Sequence, residues 1–87
     1  SGDIAAKVAD IMSKIGEKHQ VIAITHLVQM AAKAKHQFKV YKQIENNETI
    51  SNISLLNKEE RVNEIAMMLS NDKITKEAIA NAKSLLG

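Results

Sequence analysis

The sequence predicts an α/β fold whose elements follow the order helix, strand, helix, strand, strand, helix, helix. Residues 21–25 are apolar or β-branched without interruption, which is typical of a strand buried on both faces. Residues 38–44 alternate between apolar and polar side chains and precede an asparagine-rich turn, as expected for a hairpin. Apolar residues at helical spacing occupy most of the remaining chain. We therefore expect one domain over residues 1–87, with a small sheet that combines a right-handed βαβ unit and a hairpin.

The first helix is predicted over residues 3–18, with Asp3 as its N-cap. Its apolar residues recur at helical spacing between charged ones, and they are Ile4, Val8, Ile11, Met12 and Ile15. A second, short helix is predicted over residues 27–35, because alanine and lysine favour helix. It begins beside His26, so its free backbone N–H groups should lie near that imidazole.

A hairpin is predicted from residue 38 to residue 56. The apolar residues of its first strand share one parity, and they are Phe38, Val40 and Ile44. The turn falls at residues 45–48, because asparagine tolerates a positive φ. In the returning strand, Ile50 and Ile53 have opposite parity, which predicts either a bulge or a change of the buried face.

Two helices close the chain. Asn57 and Glu60 have the spacing of a capping box at the start of the first of these helices. This helix is expected to run to about Ser70, where Asn71 can supply a left-handed C-cap. The last helix is predicted to begin at Thr75 and to end at the final glycine.

Composition limits the class of protein. The 87 residues are 45% hydrophobic but include one Phe, one Tyr and no Trp, so the core must be aliphatic. The absence of cysteine excludes disulfides and thiolate metal sites. No run approaches the roughly 18 apolar residues of a membrane-spanning helix, and a net charge of +2 does not by itself indicate nucleic acid. Because Ser1-Gly2 provides no initiating methionine, we expect a piece of a longer polypeptide.

His26 is the strongest candidate for chemistry. Ligands of open α/β sheets bind at the carboxyl ends of strands, and His26 follows the predicted strand at that end. The alternative is an ordinary helix start without a ligand. The three histidines lack metal-ligand spacing, and the three glycines form no phosphate-binding loop.

The densest basic cluster consists of four lysines within ten residues: Lys33, Lys35, Lys39 and Lys42. Such a cluster suits nucleic-acid phosphates, but a solvated face is the simpler interpretation because no aromatic stacking surface accompanies it. A small nucleic-acid-binding or protein-interaction module is the alternative function.

The run at residues 24–32, Ile-Thr-His-Leu-Val-Gln-Met-Ala-Ala, resembles the switch-histidine segment of RecN, a family of bacterial DNA-repair ATPases related to the SMC and ABC-type proteins. Ser1-Gly2 resembles the end of that family's D-loop. The similarity continues through the rest of the chain at Phe38, Val40, Lys42, Leu55, Leu56, Asn57, Lys58, Arg61, Glu64, Ile65, Ala66, Leu69, Ile74, Thr75, Ala80, Asn81, Ala82, Lys83, Leu85 and Leu86.

The resemblance implies the carboxyl-terminal part of an ABC/SMC-type ATPase head, whose Walker A loop, signature motif and Walker B acids lie elsewhere. His26 would then be the switch histidine, a catalytic residue that senses the γ-phosphate of ATP and helps to hold the attacking water. Ser1 and Gly2 would face that nucleotide from a second head, in a homodimer.

The resemblance also implies ATP and Mg²⁺ as cofactors of the full-length protein, and no cofactor for this chain alone, which should be inactive. DNA would be bound through the full-length protein in double-strand-break repair, at the nucleoid in the bacterial cytoplasm, with no membrane partner. The chain departs from the family at Val28, where Pro is usual, and at Gln37, where His is common. Ser70-Asn71 replaces a glycine-containing turn.

Overall fold

The computed structural model describes residues 2–71 and 73–87 of the chain. Four helices and two strands form within those ranges: α1 (Gly2–Ile15), α2 (Val28–Lys33), β1 (Phe38–Glu45), β2 (Glu48–Leu55), α3 (Lys58–Ser70) and α4 (Lys76–Leu86). The predicted mixture of helices and strands is confirmed. The sheet, however, is smaller than the sequence indicates.

The hairpin of β1 and β2 is antiparallel, and its register runs without interruption from the pair Phe38–Leu55 to the turn. Asn46 and Asn47 form that turn with φ values of 50° and 64°. A two-residue turn that matches the twist of the flanking strands requires these positive values. The predicted hairpin and its turn are therefore confirmed.

The change of parity in β2 reflects a change of the face on which the isoleucines lie, and not a bulge, because the register is uninterrupted. Because side chains alternate along a strand, Ile53 shares one face with its partner Val40, whereas Ile50 lies on the other face beside Gln43. Val40 and Ile53 are both exposed, and no helix of the described residues packs across them. The hairpin thus has an apolar face without a partner.

Side-chain caps fix the starts of α3 and α4. Asn57 Oδ1 accepts the N–H of Glu60 at 2.8 Å, and Glu60 Oε1 accepts the N–H of Asn57 at 2.9 Å. This is the predicted capping box. Thr75 Oγ1 accepts the N–H of Ala78 at 3.0 Å, as expected for the last helix. Asn71 has the expected positive φ of 71°, but its ψ of −51° lies outside the left-handed helical region.

The core lies where α2, α3 and α4 meet, and most of it is alanine. Its buried residues are Ala31, Ala32, Ile65, Ala66, Ala78 and Ala82. Ile65 is the largest fully buried side chain in the described part of the chain. α1 contacts α2 and buries only Ala5 and Ala9, so the larger apolar side chains of α1 remain on the surface.

A single guanidinium ties α3 to the end of α2. Arg61 Nη2 donates to the carbonyl oxygens of Ala31 at 2.9 Å and Ala32 at 3.2 Å, and it also contacts that of Ala34. Arg61 Nε donates to Gln37 Oε1 at 3.1 Å. The last carbonyls of a helix lack partners within it and carry partial negative charge, so they suit a delocalised cation. Desolvation by burial lowers the pKa of Arg61, but an arginine pKa is so high that the group stays charged.

The predicted strand at residues 21–25 does not form, and the βαβ unit is therefore absent. Ile22 and Ile24 expose 82% and 101% of their reference surface. A strand needs a neighbour that satisfies its backbone N–H and C=O groups. Within residues 2–71 and 73–87 the only two strands pair with each other, and residues 21–25 pair with neither of them.

Helix boundaries also differ from the prediction. α1 ends at Ile15, and Asp3 lies inside its first turn instead of capping it. α2 occupies six residues, fewer than predicted, and the backbone turns extended at Ala34, where Arg61 contacts the last carbonyls. None of the helices in the described ranges has the length and apolar character needed to cross a bilayer.

Replacing Arg61 by lysine should lower the free energy of unfolding by about 1–3 kcal/mol. Lysine keeps the charge but cannot reach several carbonyl oxygens at once, so part-buried acceptors lose their donor. Urea denaturation followed by far-ultraviolet circular dichroism measures the change. The opposite exchange at an exposed position of α1, Lys7→Arg, is the control and should change the value by less than about 0.5 kcal/mol. Equal stability of Arg61→Lys and the unchanged chain would contradict this role.

Candidate functional site

His26 lies in the irregular segment between α1 and α2, and its side chain is exposed. A turn holds the backbone on both sides of it, because Thr25 Oγ1 accepts the N–H of Leu27 at 2.9 Å. The same hydroxyl contacts Met30 Sδ at 3.8 Å, which connects the turn to α2. The imidazole therefore extends into solvent from a backbone that local contacts hold in place.

α2 begins at Val28, two residues after His26, as the sequence predicts within one residue. Leu27 precedes it with an extended backbone, and its carbonyl oxygen accepts the N–H of Ala31 at 3.0 Å. No side chain of the described residues caps this end. A helix of six residues has a small dipole. The imidazole, and not the helix end, is therefore the group that can bind a ligand here.

The start of α1 lies against the start of α2. A Cβ atom placed on Gly2 would lie 3.0 Å from Nε2 of Gln29, so the two residues are in contact. Gln29 belongs to the first turn of α2, three positions after His26 in the sequence, so the contact brings Gly2 to the helix that follows His26. Ser1, the third predicted site residue, lies outside the described residues.

The other histidines do not join this site. His19 follows α1 and His36 precedes β1, and both side chains are exposed. In the part of the chain that the structure describes, no three histidine, cysteine, aspartate or glutamate side chains are grouped to hold a metal ion. The candidate site is therefore one exposed imidazole, and the contact of Gly2 with Gln29 lies at the start of the helix that follows it.

The lysine cluster in the sequence does not form one surface. Lys33 Nζ pairs with Asp10 at 3.0 Å, and Lys39 Nζ pairs with Glu64 at 2.9 Å. Lys42 lies on the opposite face of β1 from Lys39, because their numbers differ in parity. Ion pairing and strand alternation thus disperse the charge that appears concentrated in the sequence.

Sequence reasoning misses two features that tertiary packing creates. One is the role of Arg61 at the end of α2. The sequence contains a single hint of it, namely that Arg61 is the only arginine among twelve basic residues. A basic cleft forms from Lys35, Lys58 and Lys83, which are far apart along the chain. No local pattern indicates that these three lysines meet.

Thr25→Val keeps the shape of the side chain but removes the hydroxyl that accepts the N–H of Leu27. We expect the amide hydrogen of Leu27 to exchange about fivefold faster, since a hydrogen bond of about 1 kcal/mol corresponds to that factor. Exchange followed by nuclear magnetic resonance provides the rate. Thr25→Ser retains the hydroxyl and should exchange like the unchanged chain. Equal rates for the valine and serine variants would show that the turn does not depend on this hydrogen bond.

Comparison with known proteins identifies relatives along nearly the whole chain, although no protein-family model matches it. The DNA repair protein RecN of Deinococcus radiodurans is 42% identical over 85 residues, which are 98% of this chain and 15% of that protein. RecN of Vibrio cholerae is 41% identical over 86 residues, which are 99% of this chain and 16% of that protein. RecN of Xylella fastidiosa is 45% identical over 85 residues, covering 98% and 15%. Across almost all of its residues the chain thus belongs with the RecN family of DNA repair proteins, of whose length it spans about 15%.

Proposed function

We propose that the chain supplies a switch histidine, His26, to the ATP site of a RecN-like ATPase that acts in the repair of DNA double-strand breaks. The observation that carries this proposal is the exposed His26 imidazole on the turn held by Thr25. That turn belongs to the run that resembles the family's switch-histidine segment. The relationship to proteins named DNA repair protein RecN supports the same function.

An imidazole in this position suits phosphoryl transfer, which depends on positioning and on stabilising charge around the γ-phosphate. A histidine ring N–H can donate to a phosphate oxygen. Its short side chain also loses less conformational freedom on ordering than that of lysine. Because His26 is exposed, a nucleotide can approach it without displacing any residue of the alanine core.

ATP and Mg²⁺ need a phosphate-binding loop and metal ligands in addition to His26. The described residues include no group of acidic side chains that could hold the metal ion. We therefore assign the phosphate-binding loop and the metal ligands to the remainder of an ATPase head. On this proposal the 87-residue chain is inactive alone, and Gly2, together with Ser1, faces the nucleotide of a second head in a homodimer.

Exposed apolar side chains support docking of the chain onto that remainder. Ile22 and Ile24 are open to solvent, and so is a stripe along α1 that consists of Ile4, Val8, Ile11 and Ile15. Contiguous apolar surface of this kind marks an interaction site. We propose that residues 21–25 complete the predicted strand by pairing with a strand of the missing part. DNA binding and a place at the bacterial nucleoid belong, in this proposal, to the complete polypeptide.

His26→Ala in the complete polypeptide should lower the rate of ATP hydrolysis by roughly 10²-fold or more, the usual cost of removing one donor to a developing charge. Binding of ATP should persist, because the phosphate cradle is elsewhere. Steady-state phosphate release and nucleotide-binding titration measure the two quantities. The 87-residue chain alone should release no phosphate above background.

His19→Ala in the same polypeptide is the matched control, since His19 is also exposed but lies away from the turn. Its hydrolysis rate should equal that of the unchanged protein. If His26→Ala hydrolyses ATP at the normal rate, or if His19→Ala loses activity equally, the assignment of His26 fails.

The isolated chain should self-associate as its concentration rises, because the apolar surface around residues 21–25 is open to water. Ile22→Lys combined with Ile24→Lys should weaken this association at least tenfold, as measured by sedimentation equilibrium. Gln20→Lys adds a charge at the edge of the same segment and is the control. A strictly monomeric chain at high concentration would contradict a docking surface here.

A further inference from the structure

We propose that the chain carries a second binding site, a basic cleft that takes a short acidic peptide segment with apolar side chains. The basic cleft is the space of about 720 Å³ between the start of α3, the end of α4 and the residues that precede β1. The residues that line it include three lysines and three aliphatic residues, namely Lys35, Lys58, Lys83, Leu56, Val62 and Leu86. His26 does not line it, so this site is independent of the function proposed for that residue.

The charged side chains of the described residues that line the basic cleft are all cationic. Lys35, Lys58 and Lys83 come from three separate segments and converge on one space. The two ion pairs formed by the described residues use other lysines, and none of the described lining residues is acidic. A cleft lined by charges of one sign focuses the electrostatic potential and attracts a ligand of opposite sign. The ligand is therefore anionic.

Lys58 lies on the wall of the cleft that α3 forms. Lys58 is the first residue of α3, at the positive end of the helix, where an acidic residue would be stabilising. Glu59 and Glu60 follow it in the same turn, and Glu59 lines an adjoining space together with Lys58 and Lys83. The two glutamates reduce the positive potential at this wall, but neither lines the cleft, so an anionic ligand inside it meets Lys58 together with Lys35 and Lys83.

The floor of the basic cleft is apolar. This favours a peptide over a nucleic acid as the ligand. Leu56, Val62 and Leu86 line it, and the last two also pack against the core. An apolar centre with a charged rim is the usual anatomy of a protein interface. Grooves for single-stranded nucleic acid instead stack bases on aromatic rings, and Phe38 and Tyr41 both lie in the hairpin, outside the cleft. The volume falls within the roughly 300–1,000 Å³ of ligand pockets.

Fluorescence anisotropy on the 87-residue chain tests the proposal. The probe is a labelled eight-residue peptide that contains four aspartates and two leucines. Two comparison peptides replace the aspartates by asparagine or the leucines by serine, and each should bind at least tenfold more weakly. Binding of the acidic probe should also weaken as salt is added. A labelled oligothymidylate tests the nucleic-acid alternative.

Charge reversal locates the site on the chain. Lys58→Glu with Lys83→Glu should weaken binding of the acidic probe at least tenfold, whereas Lys7→Glu with Lys14→Glu, in α1, changes the net charge equally and should not. Lys58→Glu alone separates binding from folding, because glutamate at the start of α3 is favourable for the helix. This variant should lose affinity while its Tm stays equal or rises.

Three results would each overturn the proposal: no binding of the acidic probe, equal loss in the two double variants, or binding of oligothymidylate as tight as that of the peptide. Loss of affinity in Lys58→Glu that is accompanied by a lower Tm would likewise count against it, since the lysine would then act through folding.

Discussion

The contact between the Arg61 guanidinium and the carbonyl end of α2 is the interaction on which the arrangement of the chain depends. α2 has six residues and no side-chain N-cap, so it is too short to be stable by itself. Two tertiary interactions maintain it, namely the burial of Ala31 and Ala32 in the core and the hydrogen bonds from Arg61. The turn that holds His26 is in turn connected to α2 through Met30. A long-range contact made by α3 thus supports the backbone turn that carries the imidazole.

The features that the sequence predicts well are those decided within a few residues. The capping box depends on Asn57 and Glu60 alone, and the hairpin turn depends on two asparagines that accept positive φ. The start of α2 belongs to the same group, because it could be read directly from the residues that follow His26. In each case the chemistry that selects the structure is contained in one short window.

The features that the sequence predicts poorly depend on a distant partner. Residues 21–25 have the composition of a buried strand, but a strand exists only where a second strand bonds to it. The lysines of residues 33–42 separate because Asp10 and Glu64, remote in sequence, pair with two of them. The contact of Gly2 with Gln29 depends on how α1 packs on α2, and no spacing along the chain encodes it.

Two kinds of apolar residue serve different purposes in this chain. Alanines form nearly the whole internal core, whereas most of the isoleucines and valines that the sequence would place inside lie on the surface. A chain of 87 residues buries a modest share of its surface in any case. Large aliphatic side chains on the surface contribute to stability only if another part of a protein covers them. This distribution agrees with a chain that spans about 15% of the length of its relatives.

The few contacts that attach the hairpin to the helices determine which part of the structure unfolds first. Its tertiary ties are the pair of Lys39 with Glu64 at 2.9 Å and the contact of Gln37 with Arg61. A two-stranded ribbon is marginally stable without further packing. The ribbon therefore detaches as a cooperative unit of its own while the three-helix core stays folded. A protease can therefore reach both strands of the ribbon from this sub-global opening, without global denaturation of the helices.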